Sequence, residues 1–296
     1  MYDQLRLSDF LTQIEHDPKF RLLRKVAIRE GRTGHQGDLR DCLLGAVVDV
    51  ETTGLDPDGD QIVELAIRRF DFDRDGRVLQ IRRGRSWCED PGYSVDREIS
   101  RITSLSDADL AGEMFDDLEI IETLNAADII IAHNAPFDRK FVERRFPGAR
   151  GRPWACTLRE VDWCGHGFEG RQLGWLLAQT GWFHDAHRAL NDVDAVMQLL
   201  QVELYAGQST LAELLRRASQ ESWLVRAMDA PYEKRRILKA RGYSWDSNRR
   251  VWWREVYDDE IRAEERWLFE KIYASGAYPR SANPVLERIT WRERHA

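Results

Sequence analysis

The chain has 296 residues, 43% of them hydrophobic and 32% charged, proportions that exclude a disordered or fibrous protein and fit one large or two smaller globular domains. An apolar run such as Leu43–Val48 falls far short of the roughly 20 residues a membrane helix needs. Net charge is −7, yet residues 226–254 hold nine cations against three anions, +6, which leaves −13 elsewhere; bulk coating of nucleic acid is excluded, a local basic contact is not.

In chain order, residues 1–40 read as a helical arm and linker. Ser8 can cap a helix carrying Phe10, Leu11 and Ile14, and a second turn holds Leu22, Leu23 and Val26. Gly31, Gly34 and Gly37 then break any helix. Asp3 and Arg6 stand where a secretory leader would be apolar, and Cys42, Cys88, Cys156 and Cys164 form no CxxC pair, so reduced thiols in a cytoplasmic protein are expected.

A domain over 41–207 opens with strand-like Leu43–Glu51, Ile62–Phe72 and Val78–Ile81, joined by the turn clusters Asp56–Asp60 and Asp73–Gly76 into an antiparallel meander. Phe115–Ala126 reads as a helix with Phe115, Leu118, Ile121 and Leu124 on one side. Asp128–Ala132 is a buried strand, and Pro136 starts a helix bearing Phe137, Phe141 and Val142. Helices follow near 157–163, 171–180 and 190–206. The fold class is α/β.

Three segments carry chemistry. Asp49 and Glu51 end the first strand in Val48-Asp-Val-Glu-Thr-Thr-Gly-Leu55, and strand alternation points both to one face, about 6–7 Å apart. Such a pair is tolerated beside a divalent cation with oxygen preference, Mg²⁺ or Mn²⁺, or at a solvated strand end. Asp138, in His133-Asn-Ala-Pro-Phe-Asp138, falls in the first turn of a helix at the C-terminal edge of the sheet, where α/β folds bind ligands and where an acid also stabilises the helix dipole. Asp192 lies early in the last helix with His187 on the loop before it; Asp194, about 200° further round, faces elsewhere.

Together these segments resemble the DEDDh family of 3′–5′ exonucleases, which includes the proofreading subunits of bacterial replicative polymerases and ribonuclease T. The order matches, and the five-residue spacing from His187 to Asp192 marks the histidine branch. The likeness covers about residues 42–205. It implies a ribonuclease-H-like mixed sheet flanked by helices and a two-metal hydrolysis of phosphodiesters. Asp49, Glu51 and Asp192 would bind one ion, Asp138 would reach it directly or through water, and Asp49 would bridge to the second. His187 would accept the proton of the attacking water. Thr52, Thr53 and Leu55 would hold the terminal sugar and base, with Asn134 and Phe137 as further candidates. The substrate implied is a single-stranded or frayed end, DNA ahead of RNA; an RNA-trimming exoribonuclease of the same family is the alternative, then a non-catalytic nucleic-acid-binding scaffold. One departure stands out: in Ile99-Ser-Arg-Ile-Thr-Ser104, a loop before the fourth strand, Ser104 occupies a position where the family commonly has glycine. Cys156, Cys164 and His166 are too irregularly spaced to favour zinc over packing.

Residues 208–296 form an accessory module. Glu233–Arg241 reads as a short helix ended by Gly242, and Tyr243–Trp245 and Val251–Arg254 as strands around the turn Asp246–Asn248. This resembles a small helix-plus-hairpin module appended to some nucleic-acid enzymes. Arg249 and Arg250 interleaved with Tyr243, Trp245, Trp252 and Trp253 suit a single strand, at about 1–3 kcal/mol per stacked base. The tryptophans serve equally well as a small core. A replication or repair protein is the other partner the module would fit. Residues 255–271 turn acidic, as a solvated helix with Trp267 and Leu268 inward.

Overall fold

A computed structural model describes residues 2–204, 207–273 and 284–296. The chain divides into two compact units, one running to Arg217 and including His295 and Ala296, the other Ala218–Arg294.

The first unit begins with α1 (Tyr2–His16), whose start lies upstream of Ser8, so Ser8 is an interior residue and not the cap. Pro18 disfavours helix at the residue before it. Further on, residues 22–26 are not helical, because their backbone finds partners elsewhere: β1 (Arg24–Lys25) pairs in parallel with Trp182–Phe183, and the Arg24 and Val26 N–H groups donate to Gly181 and Phe183 carbonyls at 2.9 and 2.8 Å. β2 (Gly31–Arg32) adds to the edge of the main sheet, with Gly31 at φ +106°, a conformation glycine adopts without strain. The segment expected as a separate arm therefore contributes strands to the first unit.

The meander forms as β3 (Leu43–Thr52), β4 (Ile62–Phe72) and β5 (Val78–Cys88). β5 continues well past Ile81 because its later residues alternate between the sheet and solvent, a polarity that hides a strand in sequence. α2 (Arg97–Thr103) replaces the expected loop, and Ser104 caps it at φ 57°, ψ 25°, the left-handed conformation that glycine usually supplies. After α3 (Asp107–Leu110), α4 (Asp117–Ala126) buries Ile120 and Leu124 one turn apart, while Leu118, expected on that face, is 68% exposed. β6 (Ile129–Ala132), α5 (Ala135–Arg145), β7 (Trp154–Cys156), α6 (Thr157–Glu160), α7 (Leu173–Gln179), β8 (Trp182–Phe183) and α8 (Ala189–Leu200) follow. α8 ends earlier than expected, and α9 (Thr210–Ala218) comes next. Residues 208–217, expected in the accessory module, belong to the first unit. Ser209 Oγ donates to the Gly76 carbonyl at 2.8 Å, and Ala212 lies so near Gly76 that a Cβ there would meet its Cα at 2.5 Å.

The six-stranded sheet has the order β2-β5-β4-β3-β6-β7. β6 and β7 run parallel to β3, and the remaining pairs are antiparallel. Ala46, Val48, Val50, Leu65, Ile67 and Ile130 of one face bury against α4 and α5. α8 crosses β3 and β4, burying Val193, Met197 and Leu200. This is the ribonuclease-H-like mixed sheet flanked by helices that the sequence implied. No helix among the described residues is long and apolar enough to cross a membrane.

The second unit is a small α+β module: β9 (Ser222–Ala227), α10 (Arg235–Ala240), β10 (Ser244–Asp246), β11 (Val251–Tyr257), α11 (Ile261–Leu268) and β12 (Val285–Ile289), with sheet order β10-β11-β9-β12. The helix and hairpin lie where the sequence placed them. The flanking strands β9 and β12 were not legible. Val225, Ala227, Leu238, Tyr243, Val256, Leu268 and Ile272 form its core.

Candidate active site

The site grows from the C-terminal end of β3. Pairing with β4 runs Asp49 opposite Ala66 and Glu51 opposite Glu64, so these side chains share one face, while Val48 and Val50 fill the core on the other. α8 starts above that face and brings Asp192 down to it. One carboxylate oxygen each from Asp49, Glu51 and Asp192 lies within 4.8 Å of the others. Asp138 arrives from α5. β6 stops at Ala132, and beyond its end the Asp138 carboxyl accepts the Val50 N–H as well as its own. Asp49 and Glu51 thus come from one strand and Asp192 and Asp138 from two helices, with Asp138 near enough to Asp49 and Asp192 to interact with both electrostatically.

Their charges conflict. Burial, then Asp138, Asp192, Glu51 and Glu64, push the Asp49 carboxyl well above the ordinary range. Burial and the neighbouring carboxylates of Asp192, Glu64 and Asp138 raise Glu51 to about 8. Burial raises Asp138 to about 7 against the opposing pull of its two N–H donors. An all-oxygen cluster that resists ionisation in this way fits a hard divalent cation. Among the described residues no comparable cluster includes a cysteine: Cys156 is buried on β7, Cys164 is exposed, and burial raises the Cys156 thiol to about 11.

Two supports escaped sequence reasoning. His184 Nε2 sits 3.0 Å from Asp192 Oδ1, with its side chain 6% exposed, while the N–H groups of His187 and Arg188 donate to Oδ2 at 2.8 and 3.2 Å. Asp192 is thereby held from both sides. Glu64, buried across from Glu51, accepts from Arg188 Nε and Nη2, both at 3.2 Å, from Ala189 N–H at 3.1 Å and from Ser86 Oγ at 2.8 Å. A buried carboxylate this well satisfied fixes the start of α8 to β4. Glu64 could have been found by writing the β3–β4 register; nothing in the spacing of His184 marks it.

His187 is exposed on the loop, at φ 67°. Thr52 is buried, and its hydroxyl donates to the Gly54 carbonyl at 2.6 Å, so its side chain serves the turn and not an open pocket. Thr53 is partly exposed and Leu55 is 84% exposed. Asn134 turns β6 into α5 at φ 107°, and Phe137 packs against Phe141 at 4.9 Å between centroids. His133 steadies this turn, with Nδ1 2.8 Å from Thr157 Oγ1 and Nε2 2.9 Å from the Arg171 carbonyl. Burial lowers it to about 4 and keeps it neutral. Asp194 faces away and pairs with Arg68 at 2.6 Å.

In the second unit Tyr243 is core: it is 3% exposed, its hydroxyl donates to Glu264 at 3.0 Å, and its ring stacks on Trp267. That removes it from the expected nucleic-acid contacts. Glu264 is the buried acid of α11, also gripped by Arg241 and Arg254, both at 3.0 Å. Trp252 packs partly on this core, and Trp253 alternates to the opposite face. Trp245 stays 50% exposed, with Arg249 and Arg250 exposed at the hairpin tip.

The RNase_T exonuclease family matches residues 46–200, more than half of the chain. The chain belongs to this exonuclease family. It is a 3′–5′ exonuclease, and the four acids and His187 all lie inside the matched segment. The exonuclease is 24% identical over 213 residues to the DNA polymerase III subunit epsilon of Aquifex aeolicus, covering 69% of this chain and 95% of that one. It is 30% identical over 119 residues to the PolC-type DNA polymerase III of Thermotoga petrophila, covering 40% of this chain and only 8% of that polymerase. A structure of exonuclease X in complex with 5′ overhanging duplex DNA aligns over 57% of this chain and 99% of that one, at 20% identity and a TM-score of 0.40.

Proposed function

We propose that the exonuclease removes nucleotides one at a time from single-stranded or frayed DNA 3′ ends, with two divalent ions, Mg²⁺ or Mn²⁺, held by Asp49, Glu51, Asp138 and Asp192. The supporting observation is the convergence of three carboxylates within 4.8 Å beside the buried fourth, Asp138, with Asp49, Glu51 and Asp138 held back from ionising. Ionising so many acids in one place requires cations to compensate them. When bound, such ions neutralise the scissile phosphate and lower the pKa of a water. His187, on the open loop before α8, would accept the proton of the attacking water. In-line attack then releases a nucleoside 5′-monophosphate and leaves a new 3′-OH. His184 and the two loop N–H groups keep Asp192 aimed throughout. Thr53 and Leu55 grip the terminal nucleotide, with Asn134 and Phe137 lining the far side. Both relatives named above carry DNA polymerase names, which favours DNA as the substrate. The C-terminal module adds a second contact to the strand through Arg249, Arg250 and Trp245, with Trp252 beside Trp245 at 5.5 Å between ring centroids and Trp253 on the opposite face of the hairpin.

The test is Mg²⁺-dependent release of nucleotides from a 3′-labelled oligonucleotide. Asp49→Ala and Asp192→Ala should each abolish it, and turnover retained in both would overturn the assigned site. Matched RNA oligonucleotides cleaved faster than DNA would shift the substrate to RNA ends.

A further inference from the structure

We infer that Tyr93 is an aromatic platform on which a nucleobase near the 3′ end of the bound strand stacks, a contact that deepens the substrate reading above and rests on it. Tyr93 lies in the loop between β5 and α2. The residue is 50% exposed, and its hydroxyl donates to Thr53 Oγ1 at 3.1 Å. Thr53 is itself fixed: its Oγ1 accepts the Gln61 N–H at 3.0 Å and donates to Asp60 Oδ1 at 3.3 Å. The loop is anchored from behind as well. Asp90 accepts the N–H groups of Gly92 at 2.8 Å and Gly112 at 3.0 Å, and Asp107 accepts from Ser94 Oγ at 2.6 Å and Val95 N–H at 2.9 Å. The ring is therefore held in one place without being buried, which leaves aromatic surface open and already ordered.

Position decides what meets it. Thr53 is two residues beyond Glu51, about 7 Å along an extended chain, and stacked bases repeat about every 3.4 Å. With the further 3.1 Å from Thr53 to the Tyr93 hydroxyl, Tyr93 stands within about three bases of the acidic cluster. A depression of about 210 Å³ beside the ring is lined by Asp90, Pro91, Ser94, Asp107 and Leu110. Hydrogen bonds hold the Asp90 and Asp107 carboxyls below the ordinary range, so the depression is anionic. It repels the phosphate backbone and leaves the uncharged, flat base as the part of a strand that fits against the ring.

Steady-state kinetics on 3′-labelled DNA with Mg²⁺ tests this. Tyr93→Leu should raise KM roughly 5- to 100-fold with kcat within about threefold, the loss expected for one stacked base. Tyr93→Phe, which keeps the ring and loses the hydroxyl, should restore KM to near the wild-type value. With an abasic nucleotide at the stacked position, one of the last three, wild type and Tyr93→Leu should converge. Equal KM increases in the Phe and Leu variants would overturn the proposal, because the hydroxyl tie to Thr53 would then be the whole effect. A Leu penalty unchanged by abasic substitution at every one of those positions would overturn it too. An inactive wild-type enzyme would remove the functional reading and this contact together, whereas an active one with unchanged Tyr93→Leu KM removes the contact alone.

Discussion

Removing one charge from the acidic cluster should stabilise the metal-free protein and disable the enzyme. Glu51→Gln keeps the side chain's shape and deletes its ionisation. Glu51 is raised from 4.5 to about 8, chiefly by burial and then by Asp192, Glu64 and Asp138. At about 1.4 kcal/mol per pH unit, ionising it fully in the folded state costs about 5 kcal/mol. Solvent still reaches the side chain, and the neighbouring carboxyls take up protons together with it, so the share seen by this substitution is on the order of 1–3 kcal/mol. The sign follows from linkage. A raised folded-state pKa contributes stability that is fully present below the unfolded value and is lost as pH climbs through the folded value. The wild type thus loses stability between pH 4.5 and about 8, and the variant lacks this loss. Thermal melts in EDTA should show the two alike near pH 4.5 and Glu51→Gln several degrees more stable at pH 8. Added Mg²⁺ should reverse the order at pH 8, since metal binds the deprotonated site. A variant no more stable than wild type at pH 8 in EDTA would refute the premise that burial and the neighbouring carboxylates oppose the ionisation of Glu51.

His187→Ala should lower kcat by about 10²–10⁴ and leave Mn²⁺ affinity by calorimetry unchanged, as loss of a proton acceptor does; lost metal affinity would make it a structural residue instead. His184→Ala should show the opposite pattern, weakening divalent binding by about 10–100-fold because Asp192 loses its partner at 3.0 Å. Unchanged metal affinity would deny His184 that role. Replacing Arg249 and Arg250 by Ala should weaken single-strand binding and flatten its slope against log salt by about 1.4, from about 0.7 per phosphate contact. An unaltered slope would assign the hairpin tip to a protein partner.

Much of this was visible in the order of residues. Asp49 and Glu51 announce themselves because strand periodicity fixes them to one face, and the spacing from His187 to Asp192 is set by a loop and one helical turn. The hairpin of the module was legible from its turn and its alternating aromatics. Other features were hidden for identifiable reasons. β5 was cut short because edge-strand residues such as Arg83 and Arg85 are polar. Residues 22–26 look helical by spacing, yet their backbone finds better partners at Gly181 and Phe183, far along the chain. Tyr243 looked like a stacking residue, but Glu264, 21 positions on, claims its hydroxyl.

Local pattern alone determined which residues could carry the chemistry: acids at a strand end, at a helix start and beside a histidine. Tertiary structure decided what surrounds them, namely that Glu64 clamps Arg188, that His184 braces Asp192, and that Asp138 answers the Val50 N–H beyond the end of β6. The reason is range. Periodicity acts over a few residues and can be read along the chain, whereas burial and Coulomb repulsion act through space, between groups that only the fold brings together.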